Sequence, residues 1–180
     1  MRRIQLMPLG EVPAQLLAHL CKQLPKELPA YYEILPVQPP PLYAFNADRQ
    51  QYSSTEILAR LAASITPTAW RVLGVSCLDL YIPILTFVFG EAQLDGRCAV
   101  VSANRLRQEV YGYPPDRQLL GDRLLKEAVH ELGHTFGLTH CSEGTCVMAS
   151  SHAVEWIDLK SSRFCASCRA RTLDLAEQAI

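Results

Sequence analysis

A chain of 180 residues with 49% apolar and 19% charged side chains is globular rather than disordered, and long enough for one domain with a substantial core. Its formal net charge of -1, with no strongly basic half, excludes bulk electrostatic attraction to nucleic acid or to an anionic membrane surface. No run approaches the roughly 18 apolar residues of a membrane helix.

The N-terminus, MRRIQLMPLGEVPAQLLAHL, places two arginines before apolar residues. Gln5, Pro8, Gly10, Glu11 and Pro13 interrupt that run, so it reads as part of the fold rather than as a signal peptide, and the protein is expected in the cytoplasm. Residues 3 to 9 read as a first strand. Residues 12 to 24 carry Val12, Leu16, Leu17, Leu20 and Leu24 at helical spacing. Residues 31 to 35 suggest a second strand. PVQPPP, 36 to 41, is an extended connection, and AFNADRQQYSS a loop. Ser54 or Thr55 is expected to cap a helix over 55 to 65. Strands are expected over 71 to 80 and 86 to 93, and over 97 to 102 after the turn residues Asp95-Gly96. NRLRQEVYGYPPDRQ is irregular. From about Leu119 a helix runs through RLLKEAVHELGHTF, apolar along Leu124, Leu125, Ala128, Val129, Leu132 and Phe136, and Gly137 ends it. A last helix is expected from about Ala166 to Ala179. This order predicts an α+β fold of α/β/α type: a mixed twisted sheet with packed helices, then a small C-terminal subdomain. Residues 1–180 are expected to form a single domain, about 1–137 holding the sheet and about 138–180 the C-terminal part.

The segment HELGHTFGLTHCSEGTCVM concentrates the chemistry. His130 and His134 are four apart, so a helix puts both imidazoles on one face. Glu131, about 100° round from His130, can reach a metal-bound water without being a ligand, which is the mechanical content of H-E-x-x-H. Gly137 lets the chain turn sharply, and His140 can return to the same ion. With Met148 eight residues on, this is the extended H-E-x-x-H-x-x-G-x-x-H pattern with a methionine turn. Three neutral imidazoles leave the fourth position of a tetrahedral zinc for water, whose pKa falls to roughly 7. Glu131 is then expected to act as general base and later as acid in peptide hydrolysis. Met148 is expected to support the ligands from beneath.

Seven cysteines without a signal peptide argue against a disulfide framework. Cys21, Cys77 and Cys98 are scattered in apolar surroundings and read as buried thiols. Cys141-x4-Cys146 and Cys165-x2-Cys168 offer four thiolates for a closed, structural zinc site. Two zinc ions are therefore expected, one catalytic and one structural, the second preorganising the loop that carries His140 and Met148.

The combination HExxHxxGxxHC, then x4-C-x-M, then a late CxxC resembles the archaemetzincins, a family of zinc metallopeptidases. RQQYSS (Arg49 to Ser54) is similar to an RGQYSS-like segment of that family, with Gln50 where glycine is usual, and GRCAVVS followed by NRL is similar as well. The resemblance implies a metzincin-type fold with an active-site helix under a cleft. It implies zinc at His130, His134 and His140, Glu131 as base, and zinc at Cys141, Cys146, Cys165 and Cys168. It also implies an edge strand that aligns an extended substrate by backbone pairing, here Arg97, Cys98, Ala99, Val100, Val101 and Ser102. Ala149-Ser150-Ser151 departs from the polar residue and aromatic that family members often carry after the methionine, which bears on the pocket floor.

The expected partner is a peptide or protein substrate, with no nucleic acid and no membrane, and the expected state is a monomer. The alternative is a non-catalytic or gated zinc protein, a peptide-binding module with a structural zinc held by the four cysteines. A nucleic-acid-binding zinc ribbon, drawing on Arg163, Arg169 and Arg171, is opposed by the overall charge. His152 reads as a loop histidine. Tyr43, Tyr52, Tyr111 and Tyr113 are candidate oxyanion donors, and nothing in the sequence chooses among them.

Overall fold

The computed structural model describes residues 2–178, with residues 173–178 as helical backbone alone. The chain begins with β1 (Arg3–Leu9), α1 (Ala14–Glu27) and β2 (Tyr31–Ile34). The Pro-rich connection leads to β3 (Phe45–Asn46), β4 (Gln51–Ser53) and α2 (Ser54–Ser64). Four strands follow: β5 (Arg71–Ser76), β6 (Leu80–Tyr81), β7 (Gly90–Ala92) and β8 (Cys98–Ser102). After two 3-10 turns come α3 (Arg117–Thr135), α4 (Val154–Leu159) and α5 (Ala166–Gln178). The expected last helix is present over its described part; Ala179 lies outside the described residues.

The main sheet is mixed, in the order β2-β1-β5-β8-β7. β1, β2, β5 and β8 are parallel, and β7 runs antiparallel beside β8. Side chains alternate between two apolar layers. Ile4, Leu6, Leu73, Val75, Ala99 and Val101 meet α1 and α3 on one face. Leu9, Val72, Cys98 and Val100 meet Ile57, Leu58 and Leu61 of α2 on the other. Burying each such aliphatic side chain contributes about 1.5–3 kcal/mol, so the sheet gives the rest of the molecule a rigid floor.

Topology corrects one expectation. The strand at Arg97–Ser102 is not an edge: Cys98–Ser102 is β8, paired on both sides and buried along its whole length. Its main chain bonds β5 on one side and β7 on the other, and the continuous apolar run CAVVS suits a strand covered on both faces as well. The edge is β7. Phe89 O accepts from Ser102 N (2.8 Å) and Gln93 N donates to Cys98 O (3.0 Å). By alternation the N–H and C=O groups of Gly90 and Ala92 point away from β8, along the free edge.

The expected loop AFNADRQQYSS holds the short hairpin β3–β4, which joins β6 in a second sheet of order β3-β4-β6. Gln50 turns that hairpin with φ +55°, the left-handed conformation that glycine adopts freely. The cap of α2 is Ser53, whose Oγ accepts from Glu56 N (3.3 Å). Ser54 and Thr55 instead donate their hydroxyls to Glu91 on the edge strand.

Candidate metal centres and substrate cleft

The active-site helix forms where the sequence allows it. Asp116, extended at φ −130° and ψ +104°, caps α3 through Oδ1, which accepts from Leu119 N (2.9 Å). The helix ends in a Schellman turn: Gly137, at φ +76°, donates to His134 O (2.9 Å), and Leu138 N donates to Gly133 O (3.2 Å). That turn throws the chain back so that His140 returns beside the two helical histidines.

Backbone carbonyls fix both helical imidazoles. His130 Nδ1 lies 2.8 Å from Val147 O, and His134 Nδ1 lies 2.7 Å from Leu138 O. Each carbonyl can only accept, so each Nδ1 carries the proton and each Nε2 presents a bare lone pair. The two Nε2 atoms are 3.1 Å apart. A cation between them would satisfy both lone pairs, and the spacing is close to the edge, about 3.3–3.4 Å, of a tetrahedron with roughly 2.0–2.1 Å bonds to zinc. His140 completes a trio whose ligand atoms lie within 4.8 Å of one another. Burial, and then the Lys160 ammonium, holds His130 well below the ordinary imidazole pKa. Burial also lowers His134 and His140. All three are kept neutral, as metal ligation requires.

Glu131 is buried beside them. Burial, followed by the nearby Glu127 carboxylate, raises its carboxyl well above the usual range, which suits proton transfer near neutral pH. Glu127, one helical turn earlier, forms an ion pair with Lys160 at 2.8 Å, both side chains almost wholly buried. Lys160 also donates to Ala149 O (3.3 Å), tying the segment after Met148 to α3. Met148 is fully buried. A Cβ on Gly133 would collide with its sulfur, so glycine in the H-E-L-G-H run is what admits the methionine beneath the ligands.

The four cysteine sulfurs also lie within 4.8 Å of one another. Cys141 Sγ and Cys165 Sγ are 3.8 Å apart, the edge of a tetrahedron with roughly 2.3 Å zinc–sulfur bonds. Amides point at the sulfurs: Glu143 N at Cys141 (3.4 Å), and Met148 N (3.4 Å) and Cys165 N (3.3 Å) at Cys146. A backbone N–H hydrogen bond within Cys165–Cys168 brings the Cys165 thiol down to about 7. This donor set fits a closed zinc site. Of the other cysteines, Cys98 is buried and Cys21 and Cys77 are half-buried.

A cleft of about 590 Å³ runs over the histidines, between β7 with the preceding Leu85–Phe89 segment and the Thr139–His140 and Ser150–His152 segments. Arg49 steadies its upper rim by donating to Leu85 O (2.7 Å) and Thr86 O (3.0 Å). His152 lines the cleft but stands outside the histidine trio. Tyr43, Tyr52, Tyr111 and Tyr113 do not line it, and Tyr111 is occupied with Arg105 O (2.9 Å). Sequence reasoning missed Glu127, Lys160, Arg49 and Gly90. Glu127 was within reach, because it shares a helix face with Glu131.

A helix bearing H-E-x-x-H under a mixed sheet, with a third histidine returned by a glycine turn, is the construction of a metzincin-type zinc metallopeptidase. Comparison with known proteins narrows that class. The model of peptidase family M54 matches residues 44–174. The archaemetzincin of Methanocaldococcus jannaschii is 44% identical over 173 residues, 96% of this chain and 93% of that protein. The crystal structure of an Archaeoglobus fulgidus archaemetzincin complexed with malonate superposes with a TM-score of 0.82 at 39% identity, covering 94% of this chain and 99% of that one. A zinc-dependent peptidase from Methanocorpusculum labreanum gives 0.84 at 31% identity, covering 94% and 99%. The chain belongs to the archaemetzincin family, and it is a zinc metallopeptidase acting on peptides or proteins. Among the described residues no helix is long and apolar enough to cross a membrane.

Proposed function

We propose that His130, His134 and His140 hold the catalytic zinc of this peptidase, that Glu131 is its general base, and that Cys141, Cys146, Cys165 and Cys168 hold a second, structural zinc. The observation that carries the reading is the pair of Nε2 lone pairs facing each other at 3.1 Å beside a buried carboxyl. When bound, zinc supplies Lewis acidity that polarises a peptide carbonyl and acidifies a water. Glu131 takes the proton from the attacking water on its carboxylate and passes it to the departing amine nitrogen. Val147 O and Leu138 O hold the two imidazoles in the tautomer that leaves Nε2 free. The free N–H and C=O groups of Gly90 and Ala92 pair an extended peptide along the cleft, in place of the Arg97–Ser102 strand. The chain works as a single-domain monomer in the cytoplasm without nucleic acid: residues of its C-terminal part complete both clusters, and its net charge is -1.

The test is hydrolysis of a diverse peptide library by zinc-loaded protein beside Glu131→Ala, with zinc measured by emission spectroscopy. Cleavage by the wild type, a loss on the order of 10²–10⁴ in the variant, and about two zinc ions in each are expected. Equal cleavage by both would remove Glu131 from the mechanism. A single zinc would remove one of the two sites.

A further inference from the structure

We propose that Gly90 is a positioning residue for Glu131: the edge strand omits a side chain there so that the carboxyl lies directly against the strand. The proposal rests on Glu131 being the general base. A Cβ built on Gly90 would stand 2.7 Å from Glu131 Cγ and 2.9 Å from Oε1, and 2.7 Å from Val100 O. The registers Gly90↔Val101 and Ala92↔Ala99 put these four residues on the sheet face that packs on α3. Facing α3, β7 thus presents only a hydrogen at residue 90 and a methyl at residue 92. Residue 91 points the other way, to Ser54 and Thr55 of α2.

A long carboxylate side chain at the surface would swing aside from an added methyl at little cost. Glu131 is only 6% exposed, with the ion-paired Glu127 one turn behind it. The histidines and the cleft lie on its remaining side. Any retreat therefore carries the carboxyl toward the reacting bond or off its line. A displacement of about 1 Å at such a position costs roughly a hundredfold in rate. An added methyl leaves the N–H and C=O of Gly90 that pair the peptide chemically unchanged, and the missing side chain acts through the place where the proton acceptor is held.

The experiment is a double-mutant cycle on the zinc-loaded protein, reading kcat, KM and zinc content for wild type, Gly90→Ala, Glu131→Asp and the pair. Gly90→Ala should lower kcat about a hundredfold, with zinc content unchanged and KM within about threefold. Glu131→Asp withdraws the carboxyl by one methylene. It should cost the wild type at least about tenfold and the Gly90→Ala protein less than about threefold, because the shorter side chain relieves the new contact. Strain against Val100 O is common to both alanine proteins and drops out of the cycle. Wild-type kcat in Gly90→Ala, or the same factor for Glu131→Asp in both backgrounds, would overturn the proposal. Undiminished activity in Glu131→Asp and Glu131→Ala alike would instead overturn the assignment of the base. Should Gly90→Ala unfold too readily for kinetics, relief must appear as a higher Tm in the pair than in Gly90→Ala, and its absence is equally fatal.

Discussion

His130 and Cys146 belong to different clusters, yet a single peptide group joins them: its Val147 O accepts from His130 Nδ1 at 2.8 Å, and its Met148 N donates to Cys146 Sγ at 3.4 Å. Cys141 N closes the loop by donating to Met148 O (2.9 Å). The sulfur cluster therefore sets the position of a carbonyl that orients a histidine.

Cys168→Ser should show this coupling. Loss of one thiolate should reduce zinc from two to one per chain and cost at least about 3 kcal/mol, a fall in Tm on the order of 6–12 °C. Hydrolysis measured well below that Tm should also drop about 10–100-fold, as for other partners that orient a ligand. Full activity with one zinc retained would show the clusters to be independent.

Lys160 and Glu127 neutralise each other out of contact with water. Lys160→Met leaves a buried carboxylate unpaired and should cost about 3–5 kcal/mol by urea unfolding. Adding Glu127→Leu should recover most of that loss, since two apolar side chains bury without a charge. Stability within about 1 kcal/mol of wild type for Lys160→Met alone would show that Glu127 does not depend on this partner.

Gly133 gives its space to the sulfur of Met148. Gly133→Ala should cost about 1–3 kcal/mol through overpacking. In that background Met148→Ala should cost less than it does in the wild type, because the methyl at 133 fills part of the cavity. Additive losses in thermal unfolding would separate the two residues.

The depressed imidazoles bear on pH. A ligand histidine must be neutral, and an ordinary one, with a pKa near 6.5, begins to compete for protons about one pH unit above that value and is half protonated at it. Here all three pKa values lie lower, so affinity at the histidine site should stay level as pH falls from about 8 through 6.5. It should weaken only once pH reaches the depressed values. Zinc competition against a chelator, in a Glu131→Gln background, reads this directly; a loss of affinity already starting near pH 7 would contradict it.

Much of the site is legible in the sequence because its signals are local. His130, His134 and Gly137 sit at helical and turn spacings that need no tertiary knowledge, and α3 is long enough for its apolar face to show. β3, β4 and β6 span two or three residues each, too short for any period to register. α4, six residues long, is lost for the same reason. The sequence reading misplaces the edge strand because CAVVS signals coverage of both faces, while the lateral order of strands is set by the fold. Lys160 could not be paired with Glu127 from sequence, because thirty-odd residues separate them and only the fold brings them together. Gly90 did leave a trace, since a lone glycine in a strand suggests close backbone approach. What approaches it is a tertiary fact.

The cysteine cluster also ties the histidine site to the late stretch of the chain. During synthesis the H-E-x-x-H helix and His140 leave the ribosome before Cys165 and Cys168, whose sulfurs complete the set begun by Cys141 and Cys146. Val147, which orients His130, is itself held from the later stretch, donating to Arg163 O (2.9 Å). A nascent chain that has delivered all three histidines still lacks the clamp on one of them. The contact that orients His130 is thus completed by the part of the chain made last.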